Sequence, residues 1–308
     1  MEIFAHIVLK IILPIMILIS VGFIANKRLN LDSRTFAKIF IYIFVPAVFF
    51  TKIYYATVIT MDAWLILAYI MTIQLLMLAI SELGARIFSY SRNKRKALGN
   101  SLMFFNSGNY GLPLADLVFK GLPTAMTIQV LIMLIQNVTS NTFGVFQASS
   151  ANSTRWRSIR NMLEMPTLYV LATVTLVKIF SVEVPEQILV PLKYMSDGFI
   201  GIALIGLGVQ LAEIRLDLKF GDVLFPCCIR LLLSPLLGYL VVLALGIKGV
   251  LAQSMVIGVA TPTAVNTAIL ALQYDNEPEY ASRIVYFTTL FSPISLSVVI
   301  YFATTYLK

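Results

Sequence analysis

Residues 106–120 read NSGNYGLPLADLVFK, a run of amides, a hydroxyl, two glycines and a proline set inside a strongly apolar part of the chain. Proline in a helix interior costs about 3 kcal/mol and each glycine about 1 kcal/mol relative to alanine. Gly108, Gly111 and Pro113 together therefore impose a local cost of about 5 kcal/mol on any helix that runs through them. In lipid the freed backbone groups need partners as well, so such a break persists only where protein or a water-filled cavity surrounds it. The stretch points to a membrane helix interrupted at depth.

Composition supplies the membrane. The chain has 308 residues, 59% of them hydrophobic and 12% charged, with a mean hydropathy of +0.87. An average soluble domain is about 45–50% apolar and about 25% charged. A bilayer core about 30 Å thick takes about 20 apolar residues per helix. Polar breaks divide the chain into ten such stretches, near 4–24, 36–58, 62–86, 97–119, 123–150, 161–181, 184–212, 219–246, 249–272 and 278–306. The loops between them are too short to bury a soluble core. The first stretch is long and no small-residue cleavage site follows it, so it is expected to be a spanning helix rather than a leader.

Orientation follows from lysine and arginine in the short loops. Lys27, Arg28, Arg34 and Lys38 follow the first stretch, Arg86, Arg92, Lys94, Arg95 and Lys96 the third, and Arg155, Arg157 and Arg160 the fifth. The alternate loops hold little beyond Lys52, Lys120, Lys178 and Lys248. An integral protein of the cell membrane with both termini outside is expected. The net charge of +8 has the same origin in loops that meet lipid head groups, so no nucleic-acid partner is expected. Cys227 and Cys228 sit about 100° apart around a helix axis, cannot easily bridge each other, and read as packing residues. With the single histidine at position 6 there is no histidine cluster for a metal and no triad, hence no expected catalytic residue or cofactor. The chain also lacks a phosphate-binding loop, which argues against direct ATP drive.

A cut near residue 155 leaves five stretches in each half, 1–154 and 155–308, and an odd number of spans inserts the halves with opposite topology. The fourth stretch of each half opens alike, LGNSLMFFNSGNYGLP from Leu98 and LAQSMVIGVATPTAVN from Leu251. In this register Asn109 stands opposite Pro262 and Pro113 opposite Asn266. Pro113 and Pro262 suit the first turn of a second half-helix, with Thr261 placed as an N-cap. Such N-termini carry partial positive charge and free N–H donors, which favour an anion. Two breaks at mid-membrane, flanked by Asn106, Asn109, Thr263 and Asn266, make a candidate site for a carboxylate. Gln129, Gln136, Asn137, Ser140 and Asn141 share one face of the fifth stretch; they either line that site or join helices by hydrogen bonds.

Ionisable residues inside spans are functional candidates once local pairing has been considered. Glu82 with Arg86, Asp116 with Lys120, Asp197 with Lys193 and Glu164 with Arg160 are all spaced for ion pairs one helical turn apart. Asp197 precedes the small-residue run GFIGIALIGLGVQ, which would allow close helix approach. Arg230 has no acid one turn away and calls for an acid from another helix, a carbonyl or a substrate anion, a structural partner being the expectation. Asp197, Asp116 and Arg230 are the candidates for coupling. The other prolines, Pro14, Pro46, Pro226, Pro235 and Pro293, read as packing kinks.

Several stretches are similar to family motifs. FNSGNYGLP resembles P-N-T-L-V-M-G-I-P at Asn106, Gly111 and Pro113; ATPTAV and LALQYD resemble A-L-P-Q-G-I and F-A-K-E-Y-N at Pro262 and Tyr274. SDGFIGIALIGLG resembles S-D-A-G-L-G-M-A-M-F-S-L-G at Ser196 and Asp197, and the second stretch shares the Val45–Pro46 pair. On these residues the chain resembles the auxin efflux carrier family, bacterial organic-acid permeases and plant PIN-FORMED carriers, across essentially all ten stretches.

The resemblance implies an all-α polytopic membrane protein of ten helices in two inverted five-helix repeats, with broken crossover helices four and nine. It also implies that helices 3–5 and 8–10 move as a transport unit against a scaffold of helices 1, 2, 6 and 7, in an elevator-like homodimer. By its match Asn106 would contact a substrate carboxylate. One departure concerns the substrate: where plant members read N-P-N-T-Y, this chain has MPTLY, so Thr167 stands in place of an amide. A small dicarboxylate is then as fitting as auxin. The alternatives are a cation-coupled symporter or antiporter with a related crossover, which paired acids near the crossing would favour, and a membrane ligand sensor. An intramembrane enzyme is disfavoured by the lack of clustered catalytic groups.

Overall fold

Long apolar runs become long helices. The computed structural model describes residues 2–56, 60–149, 166–214 and 221–307. Its helices are α1 (Glu2–Leu29), α2 (Ser33–Tyr54), α3 (Thr60–Ile87), α4 (Arg92–Met103), α5 (Leu112–Phe119) and α6 (Pro123–Ala148). They are followed by α7 (Pro166–Ile179), α8 (Glu186–Glu213), α9 (Leu224–Ala244), α10 (Gly249–Val259), α11 (Val265–Gln273) and α12 (Pro278–Tyr306). Seven helices, α1, α2, α3, α6, α8, α9 and α12, are long and apolar enough to cross a membrane. No strand forms among the described residues. The fourth and ninth stretches are each split in two, as α4 with α5 and α10 with α11.

Four prolines share one local remedy. A wider π turn precedes each of Pro14, Pro46, Pro113 and Pro235, at Val8–Ile12, Phe40–Phe44, Ser107–Gly111 and Ile229–Leu233. Proline has no N–H and its ring clashes with the carbonyl four residues back. Moving the preceding bond back by five residues, as in Leu13 N–H to Val8 O and Ser234 N–H to Ile229 O, opens space for that ring. A fifth π turn, Ser140–Gly144 in α6, has no proline and lies beside the cavity described below.

The small-residue run does bring helices together, chiefly at one position. A Cβ at Gly208 of α8 would lie 2.0 Å from the Ile19 carbonyl oxygen of α1, and one at Gly22 of α1 would lie 2.0 Å from the Ile205 carbonyl oxygen of α8. The two backbones touch with no side chain between them. α8 also packs on α2, and α2 on α7. Thr51 of α2 donates to Ser196 of α8 at 2.9 Å, and the Ser33 hydroxyl donates to the Glu213 carboxylate at 2.6 Å. The main packing of α3 is on α4, of α11 on α12, and of α10 on α6 and α9.

Of the expected ion pairs, Glu82 holds Arg86 at 3.0 Å and also Arg95. Asp116 and Lys120 are not paired within 4 Å: Lys120 has left the helix in a left-handed conformation, φ 51°, so the one-turn geometry does not exist. Asp197 and Lys193, both exposed, are not paired either. Glu164 and Arg160 lie outside the described residues. An unanticipated cluster joins the first turn of α4 to α12, where Asp222 takes Arg283 at 2.9 Å and Lys94 at 3.4 Å. Lys94 Nζ lies 4.5 and 4.6 Å from the ring centres of Tyr90 and Tyr280. Cys227 is buried, as a packing residue should be, whereas Cys228 faces outward.

Candidate functional site

The two helix breaks meet. α4 ends at Met103, and the chain then runs extended through Phe105. There Asn106 N–H donates to Pro262 O at 2.8 Å and Ala264 N–H donates to Phe104 O at 3.0 Å. Phe105 and Thr263 form an antiparallel bridge. Each interruption frees backbone groups that lipid cannot satisfy, and the other interruption satisfies them. Thr263 completes the join, its hydroxyl donating to Ser101 O at 3.0 Å while its N–H donates to the Thr288 hydroxyl at 3.2 Å.

Pro113 sits in the first turn of α5, as its sequence position suggests. Thr261 and Pro262 do not play the expected parts. Thr261 Oγ1 donates back to Gly258 O at 2.8 Å, so it closes the helix before the break instead of capping the one after it. α11 begins only at Val265, with Ala264 at its N-cap and no side-chain cap. The cause is the crossing: pairing with Phe104 and Asn106 holds residues 262–264 extended, which keeps Pro262 out of a helical turn.

Arg230, carried by α9, lies behind the crossing. It is wholly buried. Its guanidinium donates to Leu102 O at 2.9 Å, to Ser234 Oγ at 2.7 Å and to Val259 O, and Ser234 Oγ donates to Val259 O at 3.1 Å. Leu102 and Val259 belong to the last turns of α4 and α10, whose carbonyls carry partial negative charge. The partner is therefore structural, and it is a set of carbonyls. No carboxylate pairs with Arg230 among the described residues.

A cavity of about 350 Å³ opens beside the crossing, within the about 300–1,000 Å³ of small-molecule sites. Asn106, Ser107 and Asn109 reach it from the first break and Asn266 from the second. Gln136, Asn137, Ser140 and Asn141 line it from α6, facing Thr167 of α7 and Gln210 of α8. Phe40, Ile41 and Val45 of α2, with Met133 and Phe105, form the apolar wall. Among the described residues every one that lines it is uncharged. Among these residues an anion would be held by N–H and hydroxyl donors and by the uncapped start of α11.

Asn106 has two tasks divided between its amide atoms. Oδ1 accepts Asn109 N–H at 3.1 Å and so caps the turn that leads into α5. Nδ2 is buried in the cavity wall with no hydrogen-bond partner, and so are both polar atoms of Gln136. Buried polar groups of this kind are normally hydrogen-bonded, and both side chains belong to residues that line the cavity. Asn266 Nδ2, by contrast, donates to Ser140 Oγ at 2.8 Å.

Of the residues singled out from the sequence, Asn106, Asn109, Thr167 and Asn266 line the cavity, while Gly111, Pro113, Thr261, Pro262 and Thr263 shape the breaks without lining it. Asp116, half-buried on α5, and Asp197, exposed on α8, stand away from it. The polar face of α6 proves to be both things at once. Four of its residues line the cavity, and Gln129 joins helices, donating from Nε2 to Ser254 O at 2.8 Å. Gln129→Leu is accordingly expected to cost about 0.5–1.5 kcal/mol by removing this bond, the Ser254 carbonyl keeping its place in the α10 ladder. Thermal melting should register the loss, and the KM of transport should stay put. Ser107 and Gln210 were missed as liners; for Gln210 the available signal was a lone amide ending an apolar small-residue run.

A family model described as membrane transport protein matches the chain twice, over residues 7–155 and over residues 152–300. A protein of Methanothermobacter thermautotrophicus described as an uncharacterized transporter is 24% identical over 292 residues, spanning 92% of this chain and 95% of that protein.

Proposed function

The chain belongs to the membrane transport protein family, the auxin efflux carrier family, and from that membership we propose that it is a secondary carrier of a small organic carboxylate, such as a dicarboxylate or auxin. The observation that carries this reading is the pair of unpartnered amides, Asn106 Nδ2 and the Gln136 side chain, at a cavity whose described lining is uncharged and where two helix breaks cross. Neutral donors and helix N-termini bind a carboxylate while leaving it free to depart, as a carrier requires.

The working cycle we propose is elevator-like. One wall of the cavity comes from α2, α7 and α8, which with α1 pack as a group and would serve as the scaffold. The other comes from α6, the first break and α11, parts of a unit that would slide past it in a homodimer. Two inverted five-helix repeats are supported by a break in the fourth stretch of each half and by the repeated family match. The lining residues of α2 and α8 cluster toward the end where Ser33 meets Glu213, next to Lys27, Arg28, Arg34 and Lys38. By the excess of basic residues there this end faces the cytoplasm, and the arrangement is inward-open.

The test is uptake of labelled indole-3-acetate, malate and malonate by liposomes holding the purified protein, with counterflow to separate movement from binding. Saturable uptake and counterflow of one acid are expected. If none of the three moves under any imposed gradient, the reading fails for these acids and a ligand sensor takes its place.

A further inference from the structure

Where two broken helices cross, the half-helix that ends there points its last carbonyls at the crossing. Carriers built on discontinuous helices use such half-helix ends and unwound carbonyls to coordinate a coupling cation. In this chain the corresponding groups are the carbonyls of Leu102 and Val259, and the guanidinium of Arg230 hydrogen-bonds to both. Ser234 Oγ, a further oxygen of the kind a cation takes, is turned to the same guanidinium at 2.7 Å.

We infer that Arg230 is a resident cation of the crossing: its tethered guanidinium stands where a coupling ion would bind, so that loading and transport require no Na⁺. An arginine side chain keeps its charge at any physiological pH and its planar fork spans several acceptors at once. α9 delivers it covalently, so the crossing is held together whether or not a metal ion is present outside. The same charge serves the substrate. The guanidinium carbon lies 5.3 Å from the centre of the Phe105 ring, and Phe105 lines the cavity. A bound carboxylate thus meets neutral donors in front and a fixed positive charge one ring behind. Arg230 is a positioning residue in this scheme, acting through the two half-helix ends and through Phe105.

The inference rests on the carrier reading for its transport readout alone; its stability readout needs no substrate. Purified wild type, Arg230→Lys and Arg230→Gln are melted in NaCl, in N-methyl-D-glucamine chloride and in the latter with millimolar guanidinium chloride. The same proteins in liposomes are assayed for uptake of malate, malonate and indole-3-acetate. Wild type and the lysine variant should melt at one temperature whichever cation is present. The glutamine variant, which keeps a donor and loses the charge, should melt lower in N-methyl-D-glucamine and recover in Na⁺ or guanidinium. Its uptake should fall by about tenfold or more and rise again with the same ions.

Three results would overturn the inference: a wild type whose melting or uptake depends on Na⁺, a glutamine variant equal to the lysine variant without added cation, or a glutamine variant that falls and gains nothing from either ion. If the melting pattern appears and no acid is transported, the carrier reading falls and the resident cation stands.

Discussion

Gly208→Ala is expected to unseat α8 from α1 and to leave little protein monodisperse after extraction into detergent. The added methyl would lie 2.0 Å from the Ile19 carbonyl oxygen and 2.7 Å from the Phe23 nitrogen. Both are backbone atoms, so no side chain can rotate away. Overpacking an ordinary core costs about 1–3 kcal/mol, because neighbouring side chains yield. Here two helices must separate along their tightest contact, against a total stability of about 5–15 kcal/mol for a typical domain. Gly201, in the same small-residue run, has nothing within 4 Å of its Cβ position and supplies the control. Thermal melting of Gly208→Ala and Gly201→Ala side by side decides the matter: equal melting temperatures would show that α1 and α8 are not seated backbone to backbone.

Asn106→Ala is expected to abolish most transport, and Asn106→Asp to show why. Alanine removes the cap on Asn109 N–H, worth about 1 kcal/mol, together with the open Nδ2 donor. A hydrogen bond to a charged group contributes about 1.5–3 kcal/mol, so affinity for a carboxylate should drop by about 10- to 100-fold. Aspartate caps as well as asparagine does, and its stability should match wild type. It replaces the donor with a negative charge facing an anion, so uptake should be lost as fully as in the alanine variant. Melting and saturation kinetics together separate the two tasks. Wild-type uptake by Asn106→Asp would remove Asn106 from the carboxylate site.

Much of the molecule follows from local chemistry. Gly108, Gly111 and Pro113 disrupt a helix wherever they are placed, so the first break could be read directly, and Pro262 among threonines marked the second. The amides of α6 declared a shared face by spacing alone. Basic loops and apolar stretches of spanning length follow from composition, because the bilayer acts on each segment separately.

Tertiary structure decided who satisfies whom. A freed N–H at Asn106 is indifferent to which carbonyl it finds, and only the crossing assigns it Pro262 O. That choice holds residues 262–264 extended, displaces Pro262 from its helical turn and leaves Thr261 to close the preceding helix. It likewise gives Arg230 two carbonyls from two other helices as partners, where no one-turn neighbour was available. The α6 face is divided between cavity and helix contact for the same reason: spacing sets a direction around a helix, and what stands in that direction belongs to a distant part of the chain. Helix breaks are a property of residues in sequence, whereas hydrogen-bond partners in lipid are set by proximity, and proximity exists only once both halves have packed.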